Sequence, residues 1–198
     1  GPEGAINMLN ENLDLDIQDY VTVDFKAMAD VVDLLGGIEI SVTDAEAEAL
    51  NKYIKETARV AGKEAHTLSK GGTYILDGPQ AVTYARLRKL EGGDYKRTER
   101  QRVVIKALFG KIKKIDLKTI NSIIDTVFPQ ISTSFELKEL LALAKSVTEY
   151  KLGDSAGFPF DKTDGSFTSA GSVVVALGHA ENVQQLHKFL YPKEEKEI

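Results

Sequence analysis

Between Asp19 and Val60 the spacing of apolar residues switches repeatedly between two and about 3.6, which neither an all-helical nor an all-strand fold accommodates. Asp19–Phe25 alternates, with Val21, Val23 and Phe25 on one side, and predicts a half-buried strand. Met28, Val31, Val32 and Leu35 then recur at helical spacing, predicting a helix over Ala27–Leu35 that Gly36-Gly37 stops. Ile38–Val42 reads as a second strand, expected to share a core sheet with 19–25, and Thr43-Asp44 caps a helix from Ala45 to about Val60. A polar loop is expected over 62–72. Asp77-Gly78-Pro79 opens a short helix over Gln80–Ala85, and Asp94 is the expected N-cap of a long helix ending near Lys114. A short helix at 2–9, helices near Leu117–Val127, Leu137–Thr148 and Ala180–Phe189, and strands near Lys151 and at Ser172–Leu177 complete the pattern. The alternation predicts an α/β fold, a mixed central sheet flanked by helices in an α/β/α layered arrangement. One domain is expected over 1–192, with a frayed charged tail at 193–198.

Several function classes drop out early. There are no cysteines, so disulfide frameworks, thiolate zinc sites and a catalytic thiol are excluded. The three histidines, His66, His179 and His187, are scattered and match no metal-ligand spacing. No Walker A, Rossmann or nucleophile-elbow motif occurs, which argues against nucleotide cofactors and serine hydrolysis. The apolar runs are too short to span a bilayer.

The charge is unevenly placed. Of six arginines, five fall between Arg86 and Arg102, a window that carries a net +4 inside a chain of net −5. Elsewhere the positive charges are lysines, apart from Arg59. Guanidinium forks bind carboxylate or phosphate oxygens in pairs and stay charged when partly buried. The overall negative charge argues against nonspecific nucleic-acid binding, so the cluster reads as a local polyanion site. A solvated basic helix face is the alternative.

Helical spacing sharpens the choice. Val104, Ile105, Leu108, Ile112 and Ile115 form an apolar stripe that continues backwards to Gln101, Arg97 and Asp94. Arg100 is better placed than Arg102 to share that side. Arg86 and Arg88 share a side only if their stretch is extended, and Gly92-Gly93 then lets the chain turn back towards the helix N-terminus, where anions are favoured. For Asp94 simple capping is the alternative, and for Gln101 a hydrogen bond to nearby backbone.

Tyr84-Ala85-Arg86-Leu87-Arg88, Gly93-Asp94-Tyr95, Arg97 and Arg100-Gln101-Arg102 resemble the signature of the LytR-CpsA-Psr family. Leu76–Ala81, Asp19–Phe25, Val32–Ile40 and the opening Gly1-Pro2-Glu3 are similar to further family elements, so the resemblance covers essentially the whole chain. It implies phosphotransfer of a glycopolymer, such as wall teichoic acid or capsular polysaccharide, from a polyprenyl-pyrophosphate carrier to peptidoglycan. It also implies Mg2+, an apolar pocket for the carrier's tail, and work on the extracytoplasmic face of a bacterial membrane, Gram-positive in type, behind an N-terminal anchor. By that resemblance Arg86, Arg88, Arg97, Arg100 and Gln101 bind the pyrophosphate, and Asp94 with Arg86 and Arg88 serves catalysis. The family's domain starts further upstream, with strands carrying a metal-binding aspartate, an arginine and a lysine that these 198 residues lack. The chain is therefore expected to be the C-terminal two-thirds of the domain, with its metal ligand upstream and its own activity in doubt. The competing readings are a binding module for lipid-linked phosphate without turnover, and a transcriptional regulator, for which no DNA-binding element is evident.

Overall fold

The computed structural model describes residues 1–88, 90, 93–167 and 171–192; the side chains at 93, 94, 117, 167, 171 and 172 lie outside the description, as does the tail at 193–198. Contacts fall into two compact units. One comprises Gly1–Gln18 with Asp154–Ile198, the other Asp19–Gly153.

The first unit opens with α1 (Pro2–Leu13), where proline near the start suits a helix turn that lacks partners for its N–H groups. Asn10 ties the chain beyond the helix back to it, exchanging bonds with the Ile17 backbone at 2.8 and 2.9 Å.

The second unit holds the main core. The strand read over 19–25 is only β1 (Val21–Thr22), and its apolar residues Val21, Val23 and Phe25 are exposed. The cause is Asp24, whose carboxylate accepts from the Ala27 N–H at 2.8 Å and caps α2 (Phe25–Leu34), starting the helix two residues earlier than expected. β2 (Ile38–Val42) buries Ile38, Ile40 and Val42 and exposes the residues between them. α3 (Asp44–Ala61) begins in a reciprocal capping box between Thr43 and Glu46 and ends at Gly62 in the left-handed region, φ 67°. The expected polar loop holds up to 71 and is followed by β3 (Gly72–Leu76), a strand the sequence reading lacked, antiparallel to β2 with Ile38 opposite Leu76. α4 (Gly78–Arg86) starts in a second capping box, Asp77 with Gln80.

Then come α5 (Gly93–Ile112), α6 (Leu117–Val127), a 3₁₀ turn (Phe128–Gln130), β4 (Ser132–Thr133) and α7 (Leu137–Lys145). β4 pairs with β1, so 19–25 and 38–42 belong to different ladders and do not share the expected sheet. No strand forms at Lys151. α3, α4 and α5 pack around the buried face of β2, enclosing Val32, Leu50, Ile54, Leu76, Tyr84 and Val104. Helix and antiparallel ladder thus combine as an α/β fold whose sheets, among the described residues, are three pairs of strands.

Two polar devices fix α4 within this core. Gly78 lies where a Cβ would strike the Ala29 carbonyl, so α2 and the start of α4 touch backbone to backbone. Asp33 accepts the Gly78 N–H at 2.6 Å. Lys63, just past α3, joins Asp33 and the buried Asp30 at 2.8 Å each, while Lys26 and Gln130 add bonds to Asp30 at 2.8 and 2.9 Å. Four separate segments therefore meet at one charge-paired hub.

The first unit closes with β5 (Lys162–Phe167), a strand absent from the sequence reading, paired with β6 (Gly171–Ala176), and with α8 (His179–Leu190). Asn182 is fully buried and spends its amide on the carbonyls of Asp161, Leu177 and Gly178 and on the Asp161 N–H. Such complete satisfaction is what makes a buried amide tolerable.

Candidate functional site

Arg86 is the last residue of α4, and Leu87 leaves the helix at φ −58° and ψ 119°. That single extended step lets Arg86 and Arg88 face one cavity of about 200 Å³, walled on the α3 side by Tyr53, Glu56 and Thr57 and on the α4 side by Thr83. The three α3 residues are spaced three and four apart, one face of the helix. The sequence reading required an extended stretch here for the two arginines to act together, and the structure supplies it.

Arg86 is also held from two directions. Its Nη1 donates to the Thr57 hydroxyl at 3.2 Å, and its guanidinium lies 4.1 Å from the centre of the Phe25 ring. The ring packs one flat face and leaves the fork's edge for oxygen ligands. Neither Thr57 nor Phe25 was singled out from sequence. They are 29 and 61 residues away, and no local pattern links them to the arginines.

A second cavity, about 270 Å³, shares Arg86 with the first. Val23, Met28, Val82, Ala85 and Val104 make it predominantly apolar, and Gln101 stands on its wall. Arg86 thus sits between a polar chamber and an apolar one. A larger apolar groove of about 390 Å³, among Val31, Ile112, Ile123, Leu143 and Tyr150, has no arginine in its lining.

The remaining predicted residues divide. Gln101 is exposed at the apolar cavity, and the half-buried Arg97 stands one turn before it on α5, with its Nε shielded from solvent. Arg100, not Arg97, heads the buried stripe that runs on through Val104 and Leu108. It lines neither arginine cavity; its Nε donates to Glu46 Oε1 at 2.7 Å and its Nη1 to the Leu87 carbonyl at 3.1 Å. Asp94 falls inside the first turn of α5, which begins at Gly93, and not at the cap; its side chain lies outside the described residues.

Among the described residues no group of three or more His, Asp or Glu side chains is arranged to hold a metal ion. What the described part of the cleft presents to an anion is the guanidinium charge of Arg86 and Arg88. At the start of α4, His66 Nδ1 lies 2.7 Å from Asp77 Oδ2, and this bond with the carboxylate raises the imidazole pKa above its ordinary value.

Comparison with known proteins adds to this geometry. The model of the LytR_cpsA_psr family matches residues 1–169. The polyisoprenyl-teichoic acid–peptidoglycan teichoic acid transferase TagT of Bacillus subtilis (strain 168) is 28% identical over 156 residues, 78% of this chain and 46% of that protein. TagV of the same strain, with the same descriptive name, is 29% identical over 145 residues, 72% of this chain and 35% of that protein. The chain thus spans less than half the length of either curated relative. A solved structure of TagT bound to LI-WTA superposes with a TM-score of 0.69 at 27% identity, covering 93% of this chain and 64% of that one.

Proposed function

Because the chain belongs to the LytR_cpsA_psr family, we propose that its arginine cleft is the pyrophosphate-holding part of an enzyme that transfers a glycopolymer from a polyprenyl-pyrophosphate carrier to peptidoglycan. The observation that supports this most directly is the position of Arg86, shared by a polar chamber that also holds Arg88 and by an apolar cavity alongside. A lipid pyrophosphate has the same two-part character: a doubly charged head joined to a hydrocarbon chain. The relatives TagT and TagV, whose names describe transfer from a polyisoprenyl carrier to peptidoglycan, point the same way.

In the reaction an acceptor hydroxyl attacks the glycan-bearing phosphorus. The bond from that phosphorus to the bridging oxygen breaks, the polyprenyl phosphate leaves with the bonding electron pair, and the hydroxyl proton passes to a base. Phosphoryl transfer asks a protein chiefly for positioning and charge stabilisation. Arg86 and Arg88 supply both, holding the non-bridging oxygens and countering the charge that gathers on the leaving phosphate. Thr57 and Phe25 keep the Arg86 fork pre-set, so less ordering is needed on binding. Gln101, on the wall of the apolar cavity, and Arg97, one turn before it, extend the polar rim from α5. Mg2+ belongs to the proposal as the cation that would lower the charge of the bound pyrophosphate, with no ligands assigned among the described residues.

The setting proposed is the extracytoplasmic face of a Gram-positive cell, with wall teichoic acid or capsular polysaccharide as the class of polymer. No helix among the described residues is long and apolar enough to cross a membrane, so membrane attachment would use another segment.

The test is Arg86→Lys combined with Arg88→Lys, which preserves charge but removes both forks. Each charge-assisted bond lost costs about 1.5–3 kcal/mol, so affinity for a polyprenyl pyrophosphate is expected to fall at least about tenfold. Unchanged affinity at fixed ionic strength would return the cluster to a solvated basic face.

A further inference from the structure

We infer that Arg100 is a positioning residue for the Arg86–Arg88 pair, and that Glu46 is the anchor through which it acts. The inference rests on reading the cleft as a pyrophosphate site. Arg100 is 6% exposed, and a guanidinium so far from water is tolerated only with partners. Among the described residues these are the Glu46 carboxylate at 2.7 Å and the Leu87 carbonyl at 3.1 Å.

The anchor is itself held. Glu46 takes Arg100 on Oε1, and its Oε2 accepts the Thr43 N–H at 3.0 Å within the capping box of α3. The Thr43 hydroxyl in turn accepts the Glu46 N–H at 3.2 Å. The far end of the strut is thereby tied to the first turn of an 18-residue helix.

What the strut grips is the hinge of the site. The Leu87 carbonyl belongs to the peptide unit that carries the Arg88 nitrogen. Because that unit is planar, fixing its oxygen fixes the ψ of Leu87 and hence the direction in which Arg88 departs. The observed ψ of 119° puts Arg88 beside Arg86; a helical value would carry it round towards another face. The buried Leu87 side chain and its N–H bond to the Tyr84 carbonyl at 3.3 Å hold the near side of the same hinge. Arg100 thus acts on the pyrophosphate through backbone geometry, its own charge already answered by Glu46.

The rival role, direct contact between Arg100 and the ligand, makes the opposite prediction for Glu46. If Arg100 reached the ligand, Glu46 would compete for it, and removing that charge would leave affinity unchanged or improve it. The experiment is therefore Glu46→Gln, with farnesyl pyrophosphate as the probe in titration calorimetry. The expected result is a loss of about tenfold, accompanied by shifted or broadened Nε–Hε resonances of Arg86 and Arg88 in the ligand-free protein. Unchanged or tighter binding overturns the inference, as do arginine resonances that stay where they were. A purely structural ion pair would lower thermal stability without moving either readout. Arg100→Lys, which keeps a charge but cannot fork between Glu46 and Leu87, is expected to match Glu46→Gln in both readouts and carries the test if the first variant does not fold. Arg86→Ala separates the two levels. If it binds the probe as well as wild type, the pyrophosphate reading fails, while the ligand-free resonances still decide whether the strut aims the pair.

Discussion

Replacing Asp30 with asparagine strips the charge from the hub that joins α2, the end of α3, the start of α4 and the turn after α6. Lys63 would keep Asp33 as its charged partner at 2.8 Å, and Lys26 its 2.9 Å bond to Gln130, with only a neutral amide oxygen left at position 30. Burial by itself would raise the Asp30 carboxyl, but the bonds from Lys26, Lys63 and Gln130 outweigh it and bring the pKa from 3.8 to about 2. At about 1.4 kcal/mol per pK unit, that difference corresponds to about 2.5 kcal/mol of folding stability at neutral pH. A carboxyl depressed in the folded state stabilises above its unfolded pKa and loses that contribution as pH falls through the folded value. The window is therefore about pH 4 down to about pH 2, with about half of the contribution gone by pH 3. Asp30→Asn is expected to be less stable than wild type by about 2 kcal/mol at pH 7, with the gap narrowing by about 1 kcal/mol at pH 3. Urea unfolding followed by circular dichroism at both pH values measures it. A gap of equal size at both would refute the electrostatic account and leave only a change of shape or packing.

Gly78→Ala is expected to cost about 2–3 kcal/mol, since its methyl group meets the Ala29 backbone, which has no side-chain rotamer through which to yield; a thermal midpoint within about 2 °C of wild type would contradict this. His66→Gln probes the raised histidine beside Asp77. A group raised in the folded state stabilises fully below its unfolded pKa, about 6.5, and loses that as pH rises through the folded value. Wild type and variant should therefore differ in midpoint in mild acid and converge in mild alkali; a pH-independent difference would exclude the pair as its source. Ile54→Ala, at a fully buried core position, should cost about 2–5 kcal/mol, read as a lower urea midpoint.

Elements whose signals are local were legible from the chain alone. Thr43 with Glu46 and Asp77 with Gln80 announce their helices by spacing, and α3 and α4 start within two residues of expectation. The strand at 19–25 misled because its alternation, Val21, Val23 and Phe25, is also consistent with a strand-to-helix junction, and the Asp24 cap decides for the latter. β3 and β5 were passed over because glycine and polar residues mask their alternation; what specifies them is a partner strand, a nonlocal fact. At the site, the arginine block was visible as charge, and an extended stretch between Arg86 and Arg88 was legible only as the condition for their acting together. The division of labour was not. Arg100 and Glu46 stand 54 residues apart, and nothing in either segment names the other.

α4 has a mechanical consequence of its own. The helix is short, and its N-terminal end is jammed against Ala29 at Gly78. Arg86 lies eight residues further on, about 12 Å along the axis, where Thr57, Phe25 and the Arg100 bond to the Leu87 carbonyl hold the tip. The helix is therefore a lever arm with its fulcrum at a glycine. A tilt of about 5° there sweeps the guanidinium by about 1 Å, given that axial length, an error that in the proposed transfer would cost about a hundredfold in rate. Aim at the cleft is thus set at both ends of the helix, and substitutions at Gly78, Asp33 or Lys63 would act as faults in the gunsight though none of them lines the chamber.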